Sequence, residues 1–223
     1  MNNQIFEKVD LFIQNILGNE DQSLIDATAL IESEGIPNAS ISPNQGKFLQ
    51  ILAKACNAKH ILEIGTLGAY STIWLANAIP DDGKVISIEF DPKHAAIAKK
   101  NIENAGLSNI VDIKLGAALD ILPEIEKELS LPFDFIFIDA DKPPYAEYFQ
   151  WAIKLGRPGT IIVADNVVRN GKILDPDSND EKVQGVQRLI KMLPEFKEVT
   201  ATVIQTVGVK EYDGMVLAVI TGN

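Results

Sequence analysis

Five short apolar runs alternate with helical patterns through the middle of the chain, and this alternation most limits the fold. The runs are HILEI (60–64), KVISIE (84–89), IVDIKL (110–115), FDFIFID (133–139) and GTIIVAD (159–165). Helical spacing fills the intervals near 69–79, 92–105, 117–129 and 144–155. Strands separated by helices run parallel, and runs apolar on both faces mean a sheet covered on both sides. Right-handed crossovers then wind it doubly. The tail differs, with a helix near 180–193 and then EVTATVIQT (198–206) and GMVLAVIT (214–221). Seven residues separate these two runs, too few for a helical crossover, so they form an antiparallel pair. The expectation is an α/β, Rossmann-like, doubly wound seven-stranded sheet with its last strand antiparallel and helices on both faces.

Ahead of the sheet the pattern is helical throughout. Ile5, Val9, Phe12, Ile13 and Ile16 recur at helical spacing, and Leu24, Ile25, Thr28 and Ile31 continue it after Asp21. Gly35, Ile36 and Pro37 interrupt, and a third helix starts near Pro43 with Phe48, Leu49, Leu52 and Ala53 on its apolar face. Residues 1–57 thus read as a helical extension of a core spanning 58–223, one domain in all. The net charge of −11 disfavours nucleic acid as a partner. The single cysteine, Cys56, the absence of a basic–apolar leader and the lack of a membrane-length apolar stretch make a cytoplasmic protein with no membrane partner the expectation.

Charge collects where the apolar runs end. Asp139 closes the fourth run, and Asp165 and Asn166 close the fifth. Neighbouring parallel strands bring those ends together, and two anions held close need a cation or a proton. Oxygen donors without His or Cys beside them favour Mg²⁺ first, with Mn²⁺ or Ca²⁺ as alternatives. Lys142, three residues after Asp139, is the candidate base. The same residues also read as turn chemistry, with Asp-Asn opening a loop and Asp-Ala-Asp-Lys-Pro-Pro capping a helix.

The first strand leads into E-I-G-T-L-G-A-Y-S (63–71). Gly65 and Gly68 allow a tight turn and a close approach to a ligand. Leu67 and Tyr70 break the dinucleotide fingerprint, and Glu63 would face a pyrophosphate with negative charge. A cationic ligand without phosphate, such as S-adenosylmethionine, suits the loop better. Glu89, closing the second strand, can bond ribose hydroxyls. Ser71 sits at the start of the next helix, suited to the methionyl carboxylate, whereas His60 and His94 read as structural or exposed.

At these residues the sequence resembles the metal-dependent small-molecule O-methyltransferases of the caffeoyl-CoA and catechol type. The resemblance is carried by ISPNQGKFL, ILEIGTLGAYSTIWLA, FIFIDADK and VADN, and runs from the N-terminal helices to Y-D-G-M near the end. It implies methyl transfer from S-adenosylmethionine to one hydroxyl of a vicinal diol on a phenolic small molecule. It also implies Asp139, Asp165 and Asn166 as ligands of a divalent metal, and Lys142 as the catalytic lysine beside Asp139. Ile41, Glu63, Gly65, Thr66, Ser71, Glu89, Ala118 and Asp139 match the family's cofactor contacts. A homodimer is implied too. Ala140 and Asp141 follow the plant and bacterial branch, whereas Pro143 and Pro144 depart from the plant one. A modified tRNA nucleoside as acceptor, or a nicotinamide-dependent oxidoreductase, are the competing readings.

Overall fold

The computed structural model describes residues 3–18, 20–37, 39–128 and 130–222. Seven strands form one sheet: β1 (His60–Ile64), β2 (Lys84–Glu89), β3 (Val111–Leu115), β4 (Phe135–Ile138), β5 (Ile161–Asp165), β6 (Val199–Gly208) and β7 (Glu211–Ile220). Their order is β3-β2-β1-β4-β5-β7-β6, parallel from β3 to β5, with β7 antiparallel to both its neighbours. The strand order therefore reverses between β1 and β4, where the carboxyl ends open a crevice.

Alternation along each strand divides the core in two. Ile61, Val85, Phe135, Phe137 and Val163 pack against helices α2 (Gln22–Ser33), α3 (Pro43–Ala55), α4 (Tyr70–Ala76) and α5 (Pro92–Asn104). Leu62, Ile64, Ile136, Ile138 and Ile162 pack against α6 (Ala118–Glu128), α7 (Tyr145–Leu155) and α8 (Glu181–Met192). Both faces are dry, as the two-sided apolar runs require. The first residues of several helices follow from their caps. Asp21 accepts from the Leu24 amide, Ser42 and Gln45 form a reciprocal capping box, and Asp91 precedes Pro92 at the first helical position. Position 129, at the edge of the expected α6, lies outside the described residues.

Two features differ from the sequence reading. The strands of the final pair run on to Gly208 and Glu211, so that Val209 and Lys210 alone form the turn in place of a seven-residue connection. Glu211 takes a left-handed φ of 65° to close it. The first helix, α1 (Asn3–Leu17), forms where its spacing predicts, yet its apolar stripe is not covered. Phe12 is 65% exposed and Ile16 56%, while Asp10 faces the β6–β7 turn, accepting from the Val209 amide at 3.0 Å. No helix among the described residues is long and apolar enough to cross a membrane.

Candidate active site

The register Ile138↔Ala164 sets Asp139 beside Asp165, and alternation points both to the face covered by α2–α5. Asp165 is 1% exposed. Burial first, and then the negative charge of Asp139, pushes its pKa up to about 8, against the pull of Lys142 and of the Asn166 amide. That amide donates to Asp165 Oδ1 at 2.7 Å, and Asn166 holds a left-handed φ of 61°. Asparagine tolerates this conformation better than most residues, which fits it to a sharp turn at the strand mouth.

Lys142 reaches back over the pair. Its Nζ donates to Asp139 Oδ1 at 2.9 Å and to Tyr145 Oη at 2.5 Å. The phenol of Tyr145 in turn donates to the Asp165 carbonyl at 2.9 Å, with the Ile138 carbonyl 3.3 Å away. Tyr145 is fully buried. Burial, reinforced by Asp139 and Asp165, raises its pKa far above that of an ordinary phenol, so it stays a neutral donor. Sequence reasoning gave it no role. The available signal was its place three residues after Lys142, as the first residue of the helix that follows the turn carrying that lysine.

The glycine loop forms the other half of the mouth. Gly65 adopts φ +99°, and a Cβ there would lie 2.1 Å from the Asp139 carbonyl oxygen, so only glycine lets the first loop meet the fourth strand. Glu89 accepts from the amides of Thr66 (3.2 Å) and Leu67 (2.8 Å) through one oxygen and from Asp91 (2.8 Å) through the other. Glu63 is fully buried beneath α4 and accepts from the hydroxyls of Ser71 (2.6 Å), Thr72 (2.5 Å) and Ser87 (2.5 Å). Thr66 joins this cluster through a short hydrogen bond to Ser87. Burial raises the Glu63 pKa to about 7, and the three hydroxyls hold it from going higher.

Two cavities open above these ends. One, of about 510 Å³, is lined by Glu89, Phe90, His94, Ala118, Leu119 and Tyr148, among others. The second, of about 240 Å³, is lined by Ile41, Thr66, Tyr70, Ser71, Lys142 and Asn166, among others. Gly65, Leu67, Asp139 and Ala140 belong to both, so the two are compartments of one groove. Of the expected residues, Gly65, Glu89, Ala118 and Asp139 line the first compartment. Ile41, Gly65, Thr66, Ser71, Asp139, Lys142 and Asn166 line the second. Glu63 and Asp165 lie beneath the linings and reach the groove through their neighbours.

Two expectations change here. Glu63 is buried under Ser71 and does not face the groove. Ser71 gives its one proton to Glu63, so its oxygen offers lone pairs, which suit an ammonium better than a carboxylate. His94, read from sequence as structural or exposed, is half-exposed and lines the larger compartment with Nδ1 3.7 Å from Glu89 Oε1. Phe90, 75% exposed at the rim of that compartment, was also missed, because an exposed aromatic after a strand has no spacing that marks it.

Among the described residues no three His, Cys, Asp or Glu side chains come together as a metal cluster. The oxygen set at the strand mouth is instead two carboxylates and the amide of Asn166.

The chain is similar to known proteins along nearly its whole length. Residues 19–220 match the family model described as O-methyltransferase. A catechol O-methyltransferase of Niastella koreensis is 59% identical over 220 residues, covering 99% of this chain and 100% of its own. Among solved structures, the O-methyltransferase TomG of Streptomyces achromogenes, in complex with SAM, superposes with a TM-score of 0.96 at 45% identity, covering 100% of each chain. An O-methyltransferase from Bacillus cereus, in complex with SAH, gives 0.95 at 47% identity, covering 97% of this chain and 99% of that one.

Proposed function

This chain belongs to the O-methyltransferase family, as an S-adenosylmethionine-dependent enzyme, and from that premise we propose that its acceptor is a phenolic small molecule with two adjacent hydroxyls, methylated with the help of a divalent cation. The observation that carries this reading is the pairing of buried Asp165 with half-buried Asp139, with Lys142 held 2.9 Å from an oxygen of Asp139. A carboxylate 1% exposed beside a second one does not ionise readily at neutral pH without a cation. The chemistry of the donor set, all oxygen, fits Mg²⁺ first and Mn²⁺ or Ca²⁺ after it. Asp139, Asp165 and Asn166 would hold the ion. When bound, it supplies a Lewis acid that makes a phenolic hydroxyl a stronger acid.

S-adenosylmethionine supplies the electrophilic methyl on its sulfonium. Glu89 and Ala118 line the compartment suited to its ribose and adenine, and Phe90 adds an apolar wall there. Ile41, Gly65, Thr66 and Ser71 line the compartment suited to its methionyl end, with Asp139 between the two. Glu63 acts from below, by fixing the Ser71 hydroxyl.

Lys142 takes the acceptor proton at Nζ. As a neutral amine it has two N–H bonds and one lone pair. Asp139 and Tyr145 receive the two N–H bonds, so the lone pair is left to face the groove. Tyr145 can only accept from Lys142, because its own proton goes to the backbone carbonyls at the strand ends. The hydroxyl proton would pass to Lys142 Nζ, leaving the acceptor oxygen free to receive the methyl that S-adenosylmethionine would supply as it becomes the neutral thioether S-adenosylhomocysteine. Positioning of the three groups in line carries most of the acceleration.

The deciding experiment is methyl transfer from S-adenosylmethionine to catechols, hydroxycinnamates and flavonoids, each with EDTA and then with Mg²⁺ restored. Turnover that needs both the cation and adjacent hydroxyls supports the reading. Turnover that persists in EDTA, or equal turnover of a mono-hydroxylated ring, sinks it. The uncovered apolar stripe of α1 favours the further reading of a homodimer, which sedimentation of the purified chain tests.

A further inference from the structure

We propose that Lys210 is a specificity-determining residue, whose ammonium receives a carboxylate carried by the acceptor ring at a distance from its two hydroxyls. The inference rests on the vicinal-diol reading above and names the subclass of diol that the site prefers.

Lys210 is one of the two residues of the β6–β7 turn. The turn is tied down from α1, where Asp10 accepts from the Val209 amide at 3.0 Å while its own carbonyl accepts from the Asn44 side chain at 2.9 Å. Lys210 is therefore carried on an anchored hairpin tip and not on a loose loop. It lines a cavity of about 510 Å³ between α2, the segment before α3 and the hairpin. That cavity shares Ser40, Ile41 and Tyr70 with the compartment holding Asp139, Lys142 and Asn166, so it is the outward continuation of the groove.

The charge pattern gives the direction. Lys210 is half-buried, which pushes its pKa down, and the carboxylates of Asp139 and Asp165 pull against that shift. Its ammonium is thus within electrostatic reach of the acidic pair. A ring whose adjacent hydroxyls face that pair turns its far substituents towards the outer cavity. The acids there, Glu20 and Glu32, belong to the opposite wall, and Glu20 accepts from the Tyr70 hydroxyl at 2.6 Å. An anionic substituent is repelled from that wall and meets a cation at the hairpin. An ammonium has three donors, so a contact within this chain and one with a ligand are compatible.

The test compares 3,4-dihydroxybenzoate with its uncharged methyl ester. Binding of each to the full chain is measured by calorimetry with Mg²⁺ and S-adenosylhomocysteine present, in the wild type, Lys210→Met and Lys210→Arg. The expected result is a preference of about ten-fold for the acid in the wild type, the size of one charge-assisted hydrogen bond at a half-buried site. The preference falls to near unity in Lys210→Met and returns in Lys210→Arg. A wild type that binds acid and ester alike, or a Lys210→Met chain that keeps the preference, overturns the assignment. Turnover of the methyl ester by the wild type reports separately on the diol reading. A charge preference without turnover leaves Lys210 standing and refutes the reaction instead.

Discussion

Glu63 and Glu89 sit on the same face of the sheet as Asp139 and Asp165, yet the two pairs of acids are treated differently by the chain. Glu63 receives three hydroxyl donors and Glu89 three backbone amides. Asp165 receives one amide, from its own neighbour, and is crowded by a second carboxylate. The first pair is satisfied from within the fold and can organise a loop. The second is short of positive charge: Lys142, with Lys210 farther out, does not supply enough to keep the Asp165 pKa low. Acids of one kind at equivalent strand ends thus serve as scaffold on one side of the reversal point, and on the other form the pair that we propose holds a cation.

The sharpest break in that contrast comes from removing an acid on the second side. Asp165→Ala is expected to lower metal-supported turnover by about a thousand-fold or more, since it takes away the counter-charge that holds the cation. The same change should raise the melting temperature of the EDTA-treated chain at pH 8. The sign follows from linkage: the folded-state pKa of Asp165 is raised, to about 8. Its contribution to stability is present below the ordinary carboxylate range and is lost as pH rises through about 8. Added Mg²⁺ should accordingly stabilise the wild type more at pH 8 than at pH 6, and the variant at neither. Equal melting temperatures for EDTA-treated wild type and variant at pH 8 would show that the pair is not strained.

Lys142→Met should lower kcat by about 10²–10³-fold while leaving S-adenosylmethionine binding near the wild-type value, as expected for loss of a general base. Single-turnover methyl transfer with calorimetric cofactor binding measures both. Tyr145→Phe keeps the ring and removes one acceptor. It should cost about ten-fold in kcat with little change in either KM, because Lys142 loses one of its two fixed partners. A Tyr145→Phe enzyme with a raised acceptor KM and normal kcat would place the tyrosine in binding and not in orienting the base.

The sheet and the pairing of strand ends were legible because both follow from alternation and length. KVISIE and HILEI are apolar on two faces, and parallel register then fixes which ends are neighbours. Asp139 and Asp165 could therefore be paired from sequence. The direction of a side chain at a strand end is set by parity as well. Glu63 lies two residues before Gly65 and points under α4, so its distance from the groove was the part that loop spacing alone did not convey. Tyr145, His94 and Lys210 were illegible for another reason. Lys210 joins the site through packing between elements far apart in sequence, where the hairpin tip meets α1 through Asp10 and Val209. Tyr145 and His94 instead meet Lys142 and Glu89 close by in the chain, and it is the path of the intervening turn that brings them together. The stripe on α1 shows the converse. Its spacing predicted a helix correctly, but periodicity does not say whether this chain covers the apolar face.

The smallest expected effect belongs to the satisfied side and would test whether it is scaffold. Glu63→Gln keeps the shape and removes the charge. Because the folded-state pKa of Glu63 is raised to about 7, its contribution to stability is complete below the ordinary carboxylate range and is lost as pH rises through 7. In the Mg²⁺-saturated chain, wild-type melting should therefore fall by a few degrees more than that of Glu63→Gln between about pH 5 and pH 8. An amide offers one acceptor oxygen where the carboxylate offered two, so one of the three hydroxyls must turn away. If Ser71 is the one that turns, the Michaelis constant for S-adenosylmethionine should rise a few-fold with kcat unchanged, the pattern of lost uniform binding. A fall in kcat of the size seen for Lys142→Met would mean that Glu63 works on the reacting atoms, and the division between the two pairs of acids would not hold.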